Sequence, residues 1–275
     1  MTERSGVSFQ PAEEIPVEAQ GRDPAADAGR LSPIDPFSNM NTFSDVDTFS
    51  HIDTFSHIDT WIFDLDNTLY PHESRIWPQV DDQITRYMSN LLGLDALSAR
   101  ALQKFYYHRY GTTLRGLMEE HGVEPHAFLD YAHAIDYGTL APDALLAAAI
   151  ARLPGRKLIL TNGSVGHASA VLSRLGMESL FEDIFDIVAA DFIPKPQAQT
   201  YDLFLKRHGV NPKRAAMFED IADNLAVPHA LGMQTTLVLP RTHDPYRESH
   251  EQAQVTVSFI GHQTNNLAGF LNRLA

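Results

Sequence analysis

Residues 61–70 read Trp61-Ile62-Phe63-Asp64-Leu65-Asp66-Asn67-Thr68-Leu69-Tyr70. Trp61, Ile62, Phe63 and Leu65 suit a strand buried on both faces. That strand would end abruptly in two carboxylates and a turn. Asp64 and Asp66 are two apart, so in an extended chain they point to the same side. Two like charges held together away from water are costly unless something compensates them, usually a cation. An Asp-Asn strand end is also an ordinary turn, so the meaning of the decapeptide depends on what the rest of the chain brings to it.

Upstream, residues 1–58 read as a disordered extension. The stretch to Pro36 is rich in Pro, Glu, Asp, Ala and Gly and has no sustained periodicity. A hexapeptide repeat follows, Ser44–Phe49, Ser50–Phe55 and Ser56–Trp61, running straight into the strand. It is too short and has too few copies for a solenoid. Only its last copy can occupy the native lead-in, and His51 and His57 read as exposed. The 275-residue chain carries a net charge of −14. Residues 1–60 hold 11 Asp+Glu and 3 Arg, a net −8, which leaves −6 for the remainder. An acidic balance argues against nucleic-acid and anionic-membrane partners. No cysteine is present, which excludes disulfides and thiolate metal sites and fits a reducing compartment. No apolar run is long enough to span a bilayer, and the acidic N-terminus lacks a basic-then-apolar leader pattern. A cytoplasmic location is the expectation, with the oligomeric state open between monomer and dimer.

Downstream the periodicity turns helical. Val80, Ile84, Tyr87, Met88 and Leu91 predict a helix stopped by Gly93. A second helix is predicted over Ser98–Arg109, with Leu102, Phe105 and Tyr106 on one face. Shorter pieces follow at Leu114–Glu120 and Pro125–His133. Residues 73–135 therefore form an all-helical insert. Strands and helices then alternate: helix Pro142–Leu153, strand Lys157–Leu160, helix Val165–Leu175, strand Asp186–Ala190, helix Thr200–His208 and strand Ala215–Phe218. A helix over Ile221–Leu231, broken near Pro228, a strand over Thr235–Leu239 and a closing helix over Leu267–Leu274 complete the series. This rhythm implies an α/β core of residues 59–72 and 136–275, a Rossmann-like parallel sheet with helices on both faces.

In such a sheet the site lies at the carboxyl ends of the strands. The predicted strands end in Asp64/Asp66, Thr161/Asn162, Lys195 (in the loop beyond the third) and Glu219/Asp220. Each has a plain explanation as turn, cap or solvated loop; together, in this order, they describe a site. Carboxylates without His or Cys companions suit a hard cation such as Mg2+. A hydroxyl, amides at a helix start and a lysine suit a phosphoryl group. One carboxylate can attack phosphorus while another moves protons.

Asp64-Leu-Asp66-Asn-Thr-Leu, Thr161-Asn162, Lys195 and Glu219-Asp220-Ile-Ala-Asp223-Asn224 resemble the four motifs of the haloacid dehalogenase-like superfamily, from residue 60 to the C-terminus. The helical insert resembles its C1 cap. Asp66-Asn-Thr-Leu-Tyr70-Pro71 and Tyr106–Leu117 look like the pyrimidine 5'-nucleotidase subgroup. The resemblance implies a Mg2+-dependent phosphomonoesterase acting through an aspartyl-phosphate on a small phosphorylated metabolite, with UMP or CMP the first candidate. Sugar phosphate or phosphoglycolate hydrolysis is the nearest rival, and a non-catalytic phosphometabolite-binding protein is the rival of another class. It further implies Asp64 as nucleophile and metal ligand, Asp66 as general acid/base with its backbone carbonyl on the metal, Thr161 and the Asn162 amide on phosphoryl oxygens, and Lys195 neutralising charge. Asp220 would complete the metal ligands, with Glu219 acting through a water. Asn224 stands where a related form carries a carboxylate, so Asp223 has no assigned role beyond capping or orienting. From the cap, Tyr110, Thr113 and Arg115 are candidate substrate contacts. Phe105, Tyr106, Tyr107 and Tyr110 have the spacing both of a base-stacking surface and of a packed helix face.

Overall fold

The strand at the head of that decapeptide, β1 (Thr60–Phe63), lies in the middle of a six-stranded, wholly parallel sheet. This is a computed structural model, and it describes residues 55–242 and 257–274. The other strands are β2 (Arg156–Leu160), β3 (Asp183–Phe185), β4 (Ala215–Glu219), β5 (Gln234–Val238) and β6 (His262–Thr264), in the order β3-β2-β1-β4-β5-β6. Ile62 pairs in register with Leu158 on one side and Met217 on the other. Side-chain alternation divides β1 between two cores: Trp61 and Phe63 pack with α5 (Ala144–Arg152), α6 (Val165–Leu175) and α9 (Leu267–Asn272), and Ile62 packs with α7 (Ala198–His208) and the short α8 (Ala226–Ala230). The sheet is therefore covered by helices on both faces, as an all-parallel sheet requires.

Between β1 and β2 the chain forms α1 (Ile76–Leu92), α2 (Ala96–Tyr110), α3 (Thr113–His121) and α4 (Pro125–Ala132). Met88, Tyr106, Leu117 and Phe128 give this helical block its own apolar cluster. Each boundary has a local cause. Gly93 closes α1 in the left-handed region, the Asp95 carboxylate caps α2, the Thr112 hydroxyl caps α3 and Glu124 caps α4. At Gly116 a Cβ would come within 2.6 Å of the Tyr106 ring, so α2 and α3 approach as closely as they do only because that residue is glycine. No helix among the described residues is long and apolar enough to cross a membrane.

Several sequence expectations are corrected. The run Asp186–Ala190 is not the third strand: β3 is Asp183–Phe185, and Asp186 ends it by accepting the backbone N–H groups of Val165 and Ala189. The apolar residues Ile187, Val188 and Phe192 pack instead against the helical block. On α2 the buried residues are Ala99, Gln103 and Tyr106, and Phe105 is exposed. Gln103 goes inside because its amide donates to the Asp81 carboxylate and its carbonyl accepts from Thr85. Helix α5 starts after Asp143, whose carboxylate caps it, rather than at Pro142. The expected helix from Ile221 is a 3-10 turn, Ala222–Leu225, running into α8. Strand β6, with the polar sequence His-Gln-Thr, had no apolar alternation to reveal it.

The extension to residue 54, with His51 and the earlier repeat copies, lies outside the described residues. Its expected boundary at 58 falls too late, because Phe55 and Ile58 are buried. Phe55 stacks on Trp61 at 6.2 Å, meets His262 at 4.9 Å and meets Phe270 edge-on at 5.9 Å. Phe55→Ala is expected to cost about 3–5 kcal/mol in urea denaturation, the range for emptying an aromatic site in a core. A loss under about 1 kcal/mol would place Phe55 outside the folding unit.

Candidate active site

The order β3-β2-β1-β4 reverses direction between β1 and β4, and the crevice of an open α/β sheet forms at the carboxyl ends beside such a switch point. Asp64 follows β1, and its amide bonds Phe218 O in β4 at 2.9 Å, so the pairing with β4 continues one residue past the end of β1. Glu219 ends β4 and Asp220 follows it. Oxygen atoms of Asp64, Glu219 and Asp220 lie within 4.8 Å of one another, and all three residues are buried.

Lys195 comes from the loop after β3 and reaches back to this group. Its ammonium donates to Asp64 Oδ1 at 2.6 Å, Glu219 Oε1 at 2.7 Å and Leu160 O at 2.9 Å, so all three N–H bonds are used. The Asn162 side chain holds the lysine backbone: its Oδ1 accepts from Lys195 N at 2.9 Å and its Nδ2 donates to Lys195 O at 3.3 Å. Burial pushes the Asp64 carboxyl up to about 7 against the pull of Lys195, and Glu219 and Asp66 push the same way. Burial alone would lower Lys195; Asp64 and Glu219 outweigh it and hold the ammonium well above its ordinary value.

Asp66 is set apart from that cluster. Its Oδ1 accepts from the Tyr70 hydroxyl and lies 2.7 Å from His167 Nε2. Burial would raise its carboxyl, but His167 and the Tyr70 bond outweigh burial and leave it below the ordinary carboxylate range. Asn67 turns the chain immediately afterwards at φ 58°, a left-handed conformation that asparagine tolerates better than most residues. Thr161 is buried, and its hydroxyl oxygen accepts from Gly163 N at 2.9 Å, which leaves its proton available to a ligand.

A cavity of about 420 Å³ joins these groups to the helical block. Its lining includes Asp64, Asp66, Thr161, Asn162, Lys195, Glu219 and Asp220 from the sheet core, and Trp77, Tyr107, Tyr110, Thr113 and Phe128 from the helical block. All the core residues singled out from sequence thus meet in one place. The cap candidates divide. Tyr110 and Thr113 line the cavity, but the Tyr110 hydroxyl donates to Glu120 and the Thr113 hydroxyl to Gln103 O. Arg115 is not among the lining residues and pairs with Glu119. Tyr106 is buried in the block, with its hydroxyl on His121.

Sequence reasoning missed Tyr70, His167 and the part played by Asn224. The carboxylates do have a histidine companion, at Asp66 rather than in the three-carboxylate cluster. Its signal was its place in the first turn of α6, directly after Thr161-Asn162-Gly163. Asn224 Nδ2 donates to Glu219 Oε1 at 2.6 Å, and Ile221 N donates to Oε2, so both Glu219 oxygens are held by the protein. Asp223 lines the cavity but stands outside the carboxylate cluster. The cluster offers only hard oxygen donors, the set that suits a cation such as Mg2+.

Residues 58–232 match a family described as haloacid dehalogenase-like hydrolase. "Phosphate metabolism protein 8" of Saccharomyces cerevisiae is 26% identical over 189 residues, 62% of this chain and 58% of the relative, so the chain spans well under two thirds of that protein's length. Among solved structures, the defluorinating L-2-haloacid dehalogenase Rha0230 superposes with a TM-score of 0.50 at 15% identity, covering 79% of this chain and 95% of that one. The L-2-haloacid dehalogenase of Xanthobacter autotrophicus gives 0.43 at 23% identity, covering 66% and 77%.

Removing the lysine would leave Asp64 and Glu219 as buried carboxylates without their shared cation. Lys195→Met is expected to lower stability by about 3–5 kcal/mol in urea denaturation, as stripping one partner from a buried ion pair does. A loss below about 1 kcal/mol would mean that this end of the crevice is more open to water than its burial implies.

Proposed function

The chain belongs to the haloacid dehalogenase-like hydrolase family, and we propose that it is a Mg2+-dependent phosphomonoesterase working through an aspartyl-phosphate on Asp64. One observation carries the reading. Two carboxylates two residues apart sit in opposite environments, Asp64 against Lys195 among acids and Asp66 between His167 and Tyr70. Such a pair is divided between nucleophile and proton carrier.

In this mechanism an Asp64 oxygen attacks phosphorus and the P–O bond to the leaving group breaks, with Asp66 giving a proton to the departing oxygen. Water then attacks phosphorus as Asp66 takes up one of its protons, releasing inorganic phosphate and restoring Asp64. Lys195 neutralises charge on Asp64 and the phosphoryl group, while the Thr161 hydroxyl and the Asn162 amide hold phosphoryl oxygens. Mg2+, held by Asp64, the Asp66 carbonyl and Asp220 with Glu219 beside them, would supply further positive charge to the phosphoryl oxygens. Glu219, with both oxygens held by protein donors, acts chiefly on Lys195.

Pyrimidine nucleoside 5'-monophosphates remain the first candidate substrates. Supporting this, the cavity falls within the roughly 300–1,000 Å³ of small-molecule sites, and its lining from the helical block includes the aromatic residues Trp77 and Tyr107. The helical block would act as a C1 cap, opening to admit substrate and closing to exclude water. The name of the yeast relative is compatible with phosphate ester chemistry. An Asp two residues after the nucleophile favours it over dehalogenation. The location is proposed to be cytoplasmic.

Asp64→Asn is expected to abolish phosphate release from p-nitrophenyl phosphate with Mg2+ present, while circular dichroism stays that of the wild type. Chelating divalent cations should have the same effect, reversed by Mg2+; wild-type turnover from the variant would overturn the mechanism. A panel of UMP, CMP, AMP, a sugar phosphate and phosphoglycolate decides the substrate class. A preference of at least about tenfold in kcat/KM for UMP or CMP is expected, a difference of about 1.4 kcal/mol in transition-state binding. Preference for phosphoglycolate or the sugar phosphate would replace that assignment, and binding without turnover across the panel would favour a non-catalytic role.

A further inference from the structure

Beyond the three-carboxylate cluster, a second set of buried polar side chains gathers around Asp66. His167 is 2% exposed and is placed by α6, whose Ser164 cap fixes the first turn. With a carboxylate acceptor beside it, Nε2 is the nitrogen that donates to Asp66. Nδ1 lies 2.9 Å from the Tyr137 hydroxyl, which also lies 3.1 Å from His133 O. The His133 ring stacks on His167 with centroids 4.4 Å apart and planes 16° from parallel, and its Nδ1 lies 3.0 Å from Ser164 Oγ. Burial and the neighbouring His167 push the His133 imidazole down to about 3, so it stacks as a neutral ring.

These residues come from separate parts of the chain. His133 caps the C-terminus of α4, and Tyr137 lies in the connector that leads from the helical block back to α5. Ser164 and His167 belong to the start of α6, beside Thr161. Tyr70 and His167 both engage Oδ1 of Asp66, a residue that lines the cavity. A carboxylate that must reach first a leaving oxygen and then a water loses rate if its orientation drifts by about 1 Å.

We propose that His167 is a positioning residue for Asp66, and that Tyr137 and His133 make this positioning depend on the connector from the helical block. The inference rests on the proposed acid/base role of Asp66. His167 acts as a fixed N–H donor throughout. Asp66 is then held in its working orientation while the connector keeps the packing described here, and displacement of the block would loosen it.

Phenyl phosphate and p-nitrophenyl phosphate differ in how much they need a proton on the leaving oxygen, so they separate positioning of Asp66 from general damage. With full-length protein and Mg2+, His167→Leu is expected to lower kcat for phenyl phosphate by about 10- to 100-fold, towards what one acid–base group supplies. The p-nitrophenyl phosphate burst should be far less affected, and KM should stay within about threefold, since ground-state binding is untouched. His167→Gln, which can return a donor near the Nε2 position, should recover most of the loss. Tyr137→Phe should show a smaller loss of the same leaving-group dependence. Equal loss on both substrates, or none, in His167→Leu overturns the proposal. Should that variant fail to fold, an unchanged phenyl phosphate kcat in Tyr137→Phe overturns it instead. Asp66→Asn separates the two readings: if it is inactive while His167→Leu is normal, only the positioning falls, and if it is fully active, the acid/base role falls and the positioning with it.

Discussion

The buried ammonium of Lys195 is the constraint around which the crevice is built. It is 2% exposed and bonded to Asp64, Glu219 and Leu160 O, so it ties the ends of β1, β2 and β4 to the loop after β3. An unpaired ammonium there, or an unpaired carboxylate, would carry several kcal/mol of desolvation. Each group is tolerable only because the others are present. That mutual dependence fixes the geometry of a loop that contributes no strand of its own. Asn162 reinforces the arrangement by grasping the backbone of the same lysine, so the loop after β2 positions the loop after β3.

The parallel sheet and the convergence at its carboxyl edge were legible because both follow from short-range signals. β1 is apolar on both faces, α6 is bounded by Ser164 and Gly176, and Lys195 lies in a proline-flanked loop. The errors arose where side chains from distant segments decide the outcome. Ile187-Val188 has strand-forming composition, yet Asp186 spends its carboxylate on two amides, turns the chain, and delivers those residues to the helical block. The burial of Gln103 had no local signal, because its partners Asp81 and Thr85 are 22 and 18 residues away. Phe55 looked like part of a repeat, and its burial depends on Phe270, near the other end of the chain.

The helical block shows the same limit. Its helices were readable from periodicity and glycine stops, but which aromatic ring faces the cavity depends on rotation about α2, which a periodicity with weak apolar contrast does not specify. Tyr106 turns inward to His121 and Tyr107 turns to the cavity, a difference of one residue and about 100° around the helix. The cavity-facing side of α2 was therefore the least legible part of the site.

Asp64 and Asp66 show how two residues of sequence separation can produce two chemistries. Burial among carboxylates raises Asp64 to about 7, whereas His167 and Tyr70 hold Asp66 low although it too is buried. A divalent cation within the carboxylate cluster would pull Asp64 down again, since the charge of a bound ion dominates local proton affinity. A phosphate ester dianion arriving beside Asp66 acts in the opposite sense and raises its affinity for a proton. In the proposed cycle the two ligands therefore exchange the order of the carboxylates, so that Asp64 is ionised and able to attack when Asp66 is best able to hold a proton. After the leaving group departs, the His167 and Tyr70 hydrogen bonds again favour the ionised form of Asp66, the form needed to take a proton from water. The sequence Asp-Leu-Asp supplies only the two carboxyl groups; the difference between them comes from Lys195 on one side and His167 on the other.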